Sequence, residues 1–366
     1  MNERLQSLDI FRGLTIAFMI IVNTPGDWSM AYDVLEHAKW HGFTPTDLVF
    51  PSFVYITGVS AWFSFKRNGH SLSADLMKRI WKRTLIIFLM GVGLYAFPFY
   101  TSSPANWRIP GVLQRIALCY GIGSTLCLVL SKRQIIGLCA ALLLGYWGIM
   151  LGFGDLTLAG NAVLKLDLWL LGEKHLYHGE GVAFDPEGLL STIPSLGTFL
   201  IGYLTGQYIG SNTDRKKVFN HLAICGALLV ITGIIWHFAF PINKKLWTSS
   251  YVLFAGGLSM ILLNTCYYLV DIAGVKNWGK PFIVFGTNAI LAYMVSELLV
   301  ISMSTFYKVK TATGTTDGHE ASYNAFFASW LGRTEFASFM YALAYTGLCW
   351  LVVYLFYRKN IFLKVG

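Results

Sequence analysis

Charge is what this 366-residue sequence has least of: Asp, Glu, Lys and Arg make up 13% of it, against 55% hydrophobic residues. So little polar surface cannot solvate a soluble enzyme, a disordered tail, a fibre or a free-standing nucleic-acid binder. Linkers are missing too. No Pro-rich or Gly/Ser-rich stretch, sustained heptad or internal repeat divides the chain, so residues 1–366 read as a single domain. The cysteines Cys119, Cys127, Cys139, Cys225, Cys266 and Cys349 lie in apolar stretches, without C-x-x-C or Cys/His ligand spacing. They read as packing thiols, not as disulfides or zinc ligands. The sequence also lacks a Walker A loop, a dinucleotide-binding glycine fingerprint, H-E-x-x-H and G-x-S-x-G, which argues against ATP-driven transport and zinc proteolysis.

Long apolar runs are what it has in excess. A spanning helix needs about 20 mostly apolar residues, and ten stretches qualify: 10–23, 48–65, 84–99, 110–130, 134–152, 189–209, 219–239, 250–270, 282–305 and 336–357. Residues Met1 to Arg12 lead into the first run without a small-residue cleavage site, so that run is expected to be retained. An even number of spans puts both termini on one side. On that arrangement 18 Lys and Arg residues fall on the terminal side, nine on the other, and Arg115 within a span. The bias predicts cytoplasmic termini. The expected fold is therefore an all-α polytopic membrane protein, a bundle of about ten transmembrane helices in the inner (plasma) membrane with lipid around it. Gly202, Gly206 and Gly210 line one face of the sixth span and predict a close helix–helix approach.

The long loops 24–47, 153–188 and 306–335 all fall on the outer side and carry His37, His41, His175, His178 and His319. Asn23 closes the first span, and Glu36-His37-Ala38-Lys39-Trp40-His41 runs into Thr44-Pro45-Thr46-Asp47 before the second. Either imidazole, His37 or His41, is a candidate general base. Thr44, Pro45 and Asp47 also match a capping box, so Asp47 has a structural reading beside a catalytic one. A second outer cluster is Asn106-Trp107-Arg108-Ile109-Pro110-Gly111-Val112-Leu113-Gln114-Arg115. Arg115 falls inside a span, where an arginine is either ion-paired or grips an anionic ligand group. Asp185-Pro186-Glu187-Gly188 and Asn243-Lys244-Lys245-Leu246-Trp247 precede the sixth and eighth spans, and Asn288, Ser296 and Glu297 lie in the ninth. His175-x-x-His178 is too weak a pattern to predict a metal, and none is expected.

Taken in order, Ser7-Leu8-Asp9-Ile10-Phe11-Arg12-Gly13, Asn23, His37-Ala38-x-Trp40-x-Gly42-x-Thr44-x-x-Asp47-Leu48-Val49-Phe50-Pro51, Arg108 through Arg115, Asp185 through Gly188, and Asn243-Lys244-x-Leu246-Trp247 resemble the catalytic region of the heparan-α-glucosaminide N-acetyltransferase family. The resemblance covers nearly the whole chain. The chain resembles the shorter bacterial members, without a luminal domain ahead of the first span. It implies acetyl transfer from cytosolic acetyl-CoA, a co-substrate, to the amine of glucosamine or a glucosamine-terminated saccharide on the outer, periplasmic face. It also implies that His37, in the His-Ala-x-Trp motif, is the general base or acetyl carrier, with Asn23 beside it. The resemblance suggests a homodimer, and nothing in it suggests nucleic acid.

Carried onto this chain, the catalytic set is His37, Asn23 and Asp47, with Asn23 donating to the oxyanion and Asp47 fixing the imidazole tautomer. Arg108, Gln114, Glu187, Asn243, Lys244 and Asn288 are the expected sugar-binding residues. Arg12, Arg79, Arg83 and Arg115 are expected to bind the nucleotide end of acetyl-CoA, although several double as positive-inside anchors. A rival reading is an amino-sugar permease or a sugar-binding membrane protein that performs no acyl transfer.

Overall fold

Side-chain caps start several of the long helices. In the computed structural model, which describes residues 5–67, 69–70, 72–99, 103–311 and 314–363, Ser73 accepts from the Leu76 amide to open α3 (Ala74–Ala96). A Ser131/Gln134 capping box opens α5 (Lys132–Phe153), and Asp214 accepts from the Lys216 and Lys217 amides to open α8 (Arg215–His237). These oxygens satisfy amides that have no partner inside the helix. The other elements are α1 (Gln6–Asn23), α2 (Val49–Arg67), α4 (Val112–Val129), α6 (Ala162–Leu170), α7 (Thr192–Ser211), α9 (Ser249–Tyr267), α10 (Lys280–Thr287), α11 (Ala289–Phe306), α12 (Gly318–Tyr323), α13 (Ser329–Leu331) and α14 (Glu335–Arg358). A two-stranded antiparallel hairpin, β1 (Lys308–Thr311) and β2 (Gly314–Asp317), pairs Lys308 with Asp317.

Helix is found at all ten expected stretches, and among the described residues eight helices are long and apolar enough to cross a membrane. The two that fall short are α3, which carries Lys78, Arg79, Lys82 and Arg83, and α7, which is rich in Gly, Ser and Thr. The α3 helix begins ten residues before the apolar run because the Ser73 cap and good helix formers continue it through the charged segment. The ninth stretch is two helices, broken at Asn288. The segment 306–335, expected to be a loop, instead holds the hairpin, α12 and α13. Arg4 and Lys364, counted among the basic residues, lie outside the described residues.

The chain divides into two compact units. The first comprises, among the described residues, those of 5–37, 44–49 and 269–363, and so contains α1, α10, α11, the hairpin and α12 to α14. Its α1/α10 crossing is close: a Cβ on Gly13 would sit 1.8 Å from the Phe282 carbonyl oxygen, and one on Gly286 1.9 Å from that of Asp9. Only glycine permits that approach. The second unit comprises, among the described residues, those of 38–43 and 50–268. Here α2 packs on the glycine face of α7, where a Cβ at Gly202 would lie 2.1 Å from the Tyr55 carbonyl oxygen. An apolar core of Tyr146, Met150, Val163, Phe184, Phe240 and Leu246 lies under the polar turns of this unit. Five of the six cysteines are buried, Cys225 is partly so, and none forms a disulfide.

Candidate active site

In the first unit the chain leaves α1 at the exposed Asn23 and is pinned at once. Gly26 and Asp27 donate their amides to the backbone oxygen and the hydroxyl of Ser338, at 3.2 and 3.1 Å. Asp27 caps a short turn, Trp28–Met30, a second turn spans Asp33–Leu35, and His37 follows. The Thr44-Pro45-Thr46-Asp47 segment forms the capping box expected of it, and Asp47 carries both of its readings at once. Its Oδ2 accepts from the Thr44 amide at 3.0 Å, while its Oδ1 lies 2.7 Å from His37 Nδ1. A carboxylate at Nδ1 selects the tautomer with the proton there, which leaves Nε2 as the basic nitrogen. The Asp47 side chain is 1% exposed and that of His37 41%. One edge of the imidazole is therefore fixed in the interior while the ring stays accessible.

The remaining first-unit candidates lie elsewhere. Arg12 donates to Asp9 at 3.0 Å and to the Gly286 carbonyl at 2.9 Å. Asn288 donates to the Ile361 carbonyl and accepts from the Leu363 amide, both at 3.0 Å, and so ties down the C-terminal segment. It follows Gly286, which packs on Asp9, and at 1.5 Å of rise per residue that end of α1 is about 20 Å from Asn23. Asn288 and Arg12 thus sit at one end of α1, and Asn23 at the other.

In the second unit the polar residues converge on the turn Asp185–Ser191. Arg108 meets Asp185 with two parallel hydrogen bonds, 2.8 and 2.7 Å, and Glu187 with a third at 2.6 Å. Its guanidinium also lies over the Tyr95 and Tyr177 rings. Burial alone would lower the Arg108 pKa, but Asp185, Tyr95 and Glu187 outweigh it and hold the group above its ordinary value. From α4, Arg115 donates to the Gly188 carbonyl at 2.9 Å and to the Ser191 hydroxyl, with its guanidinium over Trp247. Its Nε and Nη1, and the amide of buried Gln114, have no hydrogen-bond partner among the described residues.

Asp167 on the short helix α6 completes the hold by accepting from the Leu189 amide at 2.9 Å. Burial pushes this carboxyl up to about 7, opposed by the Leu189 amide, assisted by Asp185 and opposed again by Arg115. Asp167 was missed in the sequence, where its one signal is a lone acid inside the apolar run Ala162–Leu170.

Asn243 is fully buried, accepting from the Leu246 amide at 2.8 Å and donating to His41 Nδ1 at 3.3 Å. Partial burial and then repulsion from His237 hold the His41 imidazole below its usual pKa. Lys244 is half-buried, and its neighbour Lys245 pairs with Glu180 at 2.6 Å. On α3, Arg79 is exposed beside Lys78 and Lys82, while Arg83 lies over the Tyr120 ring. Of the expected site residues, then, His37, Asp47, Asn23, Arg12 and Asn288 belong to the first unit. Arg79, Arg83, Arg108, Gln114, Arg115, Glu187, Asn243 and Lys244 belong to the second. Among the described residues, no three His, Cys, Asp or Glu side chains gather as metal ligands.

Residues 4–237 match the family profile described as "Heparan-alpha-glucosaminide N-acetyltransferase, catalytic". Curated relatives called heparan-alpha-glucosaminide N-acetyltransferase, from Homo sapiens and Mus musculus, are each 30% identical over 99% of this chain. The chain spans 60% of the human relative's length and 61% of the mouse relative's.

Proposed function

The chain belongs to the heparan-alpha-glucosaminide N-acetyltransferase family, and from that premise we propose that it moves acetyl from cytosolic acetyl-CoA to the amine of a glucosamine-type sugar across the membrane. The observation that carries this reading is the His37 imidazole, ring accessible and Nδ1 bound to a buried carboxylate. Acyl transfer to an amine needs a base, because the nitrogen sheds a proton as it acylates. In the proposed reaction the neutral sugar amine attacks the thioester carbonyl, forming a C–N bond and an oxyanion. His37 Nε2 takes the ammonium proton while Asp47 stabilises the imidazolium. The C–S bond then breaks, and the departing thiolate of coenzyme A takes that proton. Asn23 is assigned to the oxyanion, a role worth about 3 kcal/mol at other acyl-transfer sites. Attack by His37 itself, through an acetyl-imidazole, uses the same atoms in two steps.

The exposed Lys78, Arg79 and Lys82 on α3 are the proposed partners of the coenzyme's phosphates. Acetyl-CoA and a sugar are both too polar to cross hydrocarbon unaided, so the donor is taken up on the face rich in Lys and Arg and the acceptor on the opposite one. The test is an acceptor panel: purified protein, labelled acetyl-CoA, and glucosamine, N-acetylglucosamine, glucose or a glucosamine-terminated oligosaccharide. The proposal expects label on the free amines alone. Label on hydroxyl-only sugars would make the protein an O-acyltransferase, and vesicle uptake of N-acetylglucosamine without any acetyl transfer would make it a permease.

A further inference from the structure

Three successive residues of the arm that ends in His37 are each bound to a residue of the Thr44–Asp47 cap. The Leu35 carbonyl accepts from Thr46 Oγ1 at 2.8 Å, the Glu36 carbonyl accepts from Thr44 Oγ1 at 2.6 Å, and His37 Nδ1 lies 2.7 Å from Asp47 Oδ1. The arm itself is one short 3-10 turn, Asp33–Leu35, closed by the Leu35 amide on Tyr32 and the Glu36 amide on Asp33, and no α-helix or strand contains residues 35–37. Thr46 is 1% exposed, and its hydroxyl donates to the Leu35 carbonyl. Thr44 has one hydroxyl proton. It goes to the nearer acceptor, the Glu36 carbonyl, rather than to Asp47 Oδ2 at 3.2 Å, which the Thr44 amide already serves.

We propose that the hydroxyls of Thr44 and Thr46 are positioning groups that set the register of the His37 arm against Asp47, so that the imidazole is presented in one orientation. This rests on the reading of His37 as the base. Its physical basis is that a misplacement of about 1 Å in a reacting group can cost on the order of 100-fold in rate. Two carbonyl tethers immediately upstream remove that freedom more rigidly than the single imidazole–carboxylate bond.

The test compares Thr44→Val, Thr44→Ser and Thr46→Val. Valine keeps the β-branch and the backbone amide that serves Asp47 Oδ2, and removes only the hydroxyl. For Thr44→Val, kcat is expected to fall roughly 10-fold or more with KM for acetyl-CoA within about twofold, and Thr44→Ser is expected to restore most of the loss. Thr46→Val is expected to move in the same direction, and it carries the test should Thr44→Val fail to fold. A readout independent of turnover is the rate at which diethyl pyrocarbonate modifies His37, followed by mass spectrometry. That rate is expected to change about threefold or more in the valine variants and to stay at the wild-type value in Thr44→Ser. Folded valine variants with both kcat and the modification rate unchanged would overturn the inference. Absence of acetyl transfer by the wild type would instead overturn the functional reading, while the modification rates would still report on the tethers.

Discussion

In the proposed reaction His37 and Asp47 divide one task between an accessible ring and a buried carboxylate, and their substitutions are expected to differ. His37→Ala removes the proposed base and should lower kcat by on the order of 10²–10⁴ with the fold intact. Asp47→Asn keeps the size but not the charge, and because Asp47 Oδ2 also caps the turn it should lower both kcat and thermal stability, read by steady-state kinetics and a melting curve. Asp167 gives a pH prediction. Its folded carboxyl titrates at about 7, above the ordinary carboxylate range, so between about pH 4 and 7 the folded state binds more protons than the unfolded one. Stability from this group is fully present below the unfolded pKa and lost as pH rises through the folded one. Melting temperatures of the wild type should therefore fall from pH 5 to pH 8 more steeply than those of Asp167→Asn, which stays neutral and keeps the Leu189 acceptor; parallel curves would contradict this.

At this scale the sequence was informative where a motif had a fixed spacing, as at the Thr44–Asp47 cap. It was silent where partners lie far apart: that Arg108 meets Asp185 across 77 residues, or that Asp167 meets the Leu189 amide, has no local signature.

Helices show the same division. Hydrophobic runs located the centre of every long helix, because burial in lipid is written directly in composition. They could not show that α3 continues through Lys78 to Arg83, or that the ninth run breaks at Asn288, because caps and a local change of backbone decide those ends. The glycine spacing on α7 predicted a close neighbour without saying which, and α2 is that neighbour. Gly202→Val should therefore destabilise the protein by about 1–3 kcal/mol, because the new side chain collides with the Tyr55 backbone rather than with a movable side chain. Gly145→Ala on α5 adds a methyl with nothing within 4 Å and should be nearly neutral. Thermal unfolding in one detergent compares the two.

For the whole molecule, the apolar residues left exposed make the membrane legible. Ile136, Leu144 and Leu151 on α5, Ile224, Leu228 and Ile235 on α8, and Leu348, Leu351 and Leu355 on α14 face outward from helices long and apolar enough to span. The division into two units was not legible, because one unit draws on three separate stretches of chain that composition does not distinguish. The excess of Lys and Arg on the terminal side predicts cytoplasmic termini, an orientation that protease protection can check. Tags at both termini should be cut only in inside-out vesicles, and cleavage of either tag from outside intact cells would reverse the proposed direction of transfer.

The most direct measurement uses proteoliposomes holding labelled acetyl-CoA inside and glucosamine outside, prepared in parallel with wild-type protein and the folded His37→Ala variant. Label should appear on external glucosamine for the wild type and not for the variant. Equal labelling by both, or none by the wild type in either orientation, would contradict acetyl transfer through the His37 imidazole.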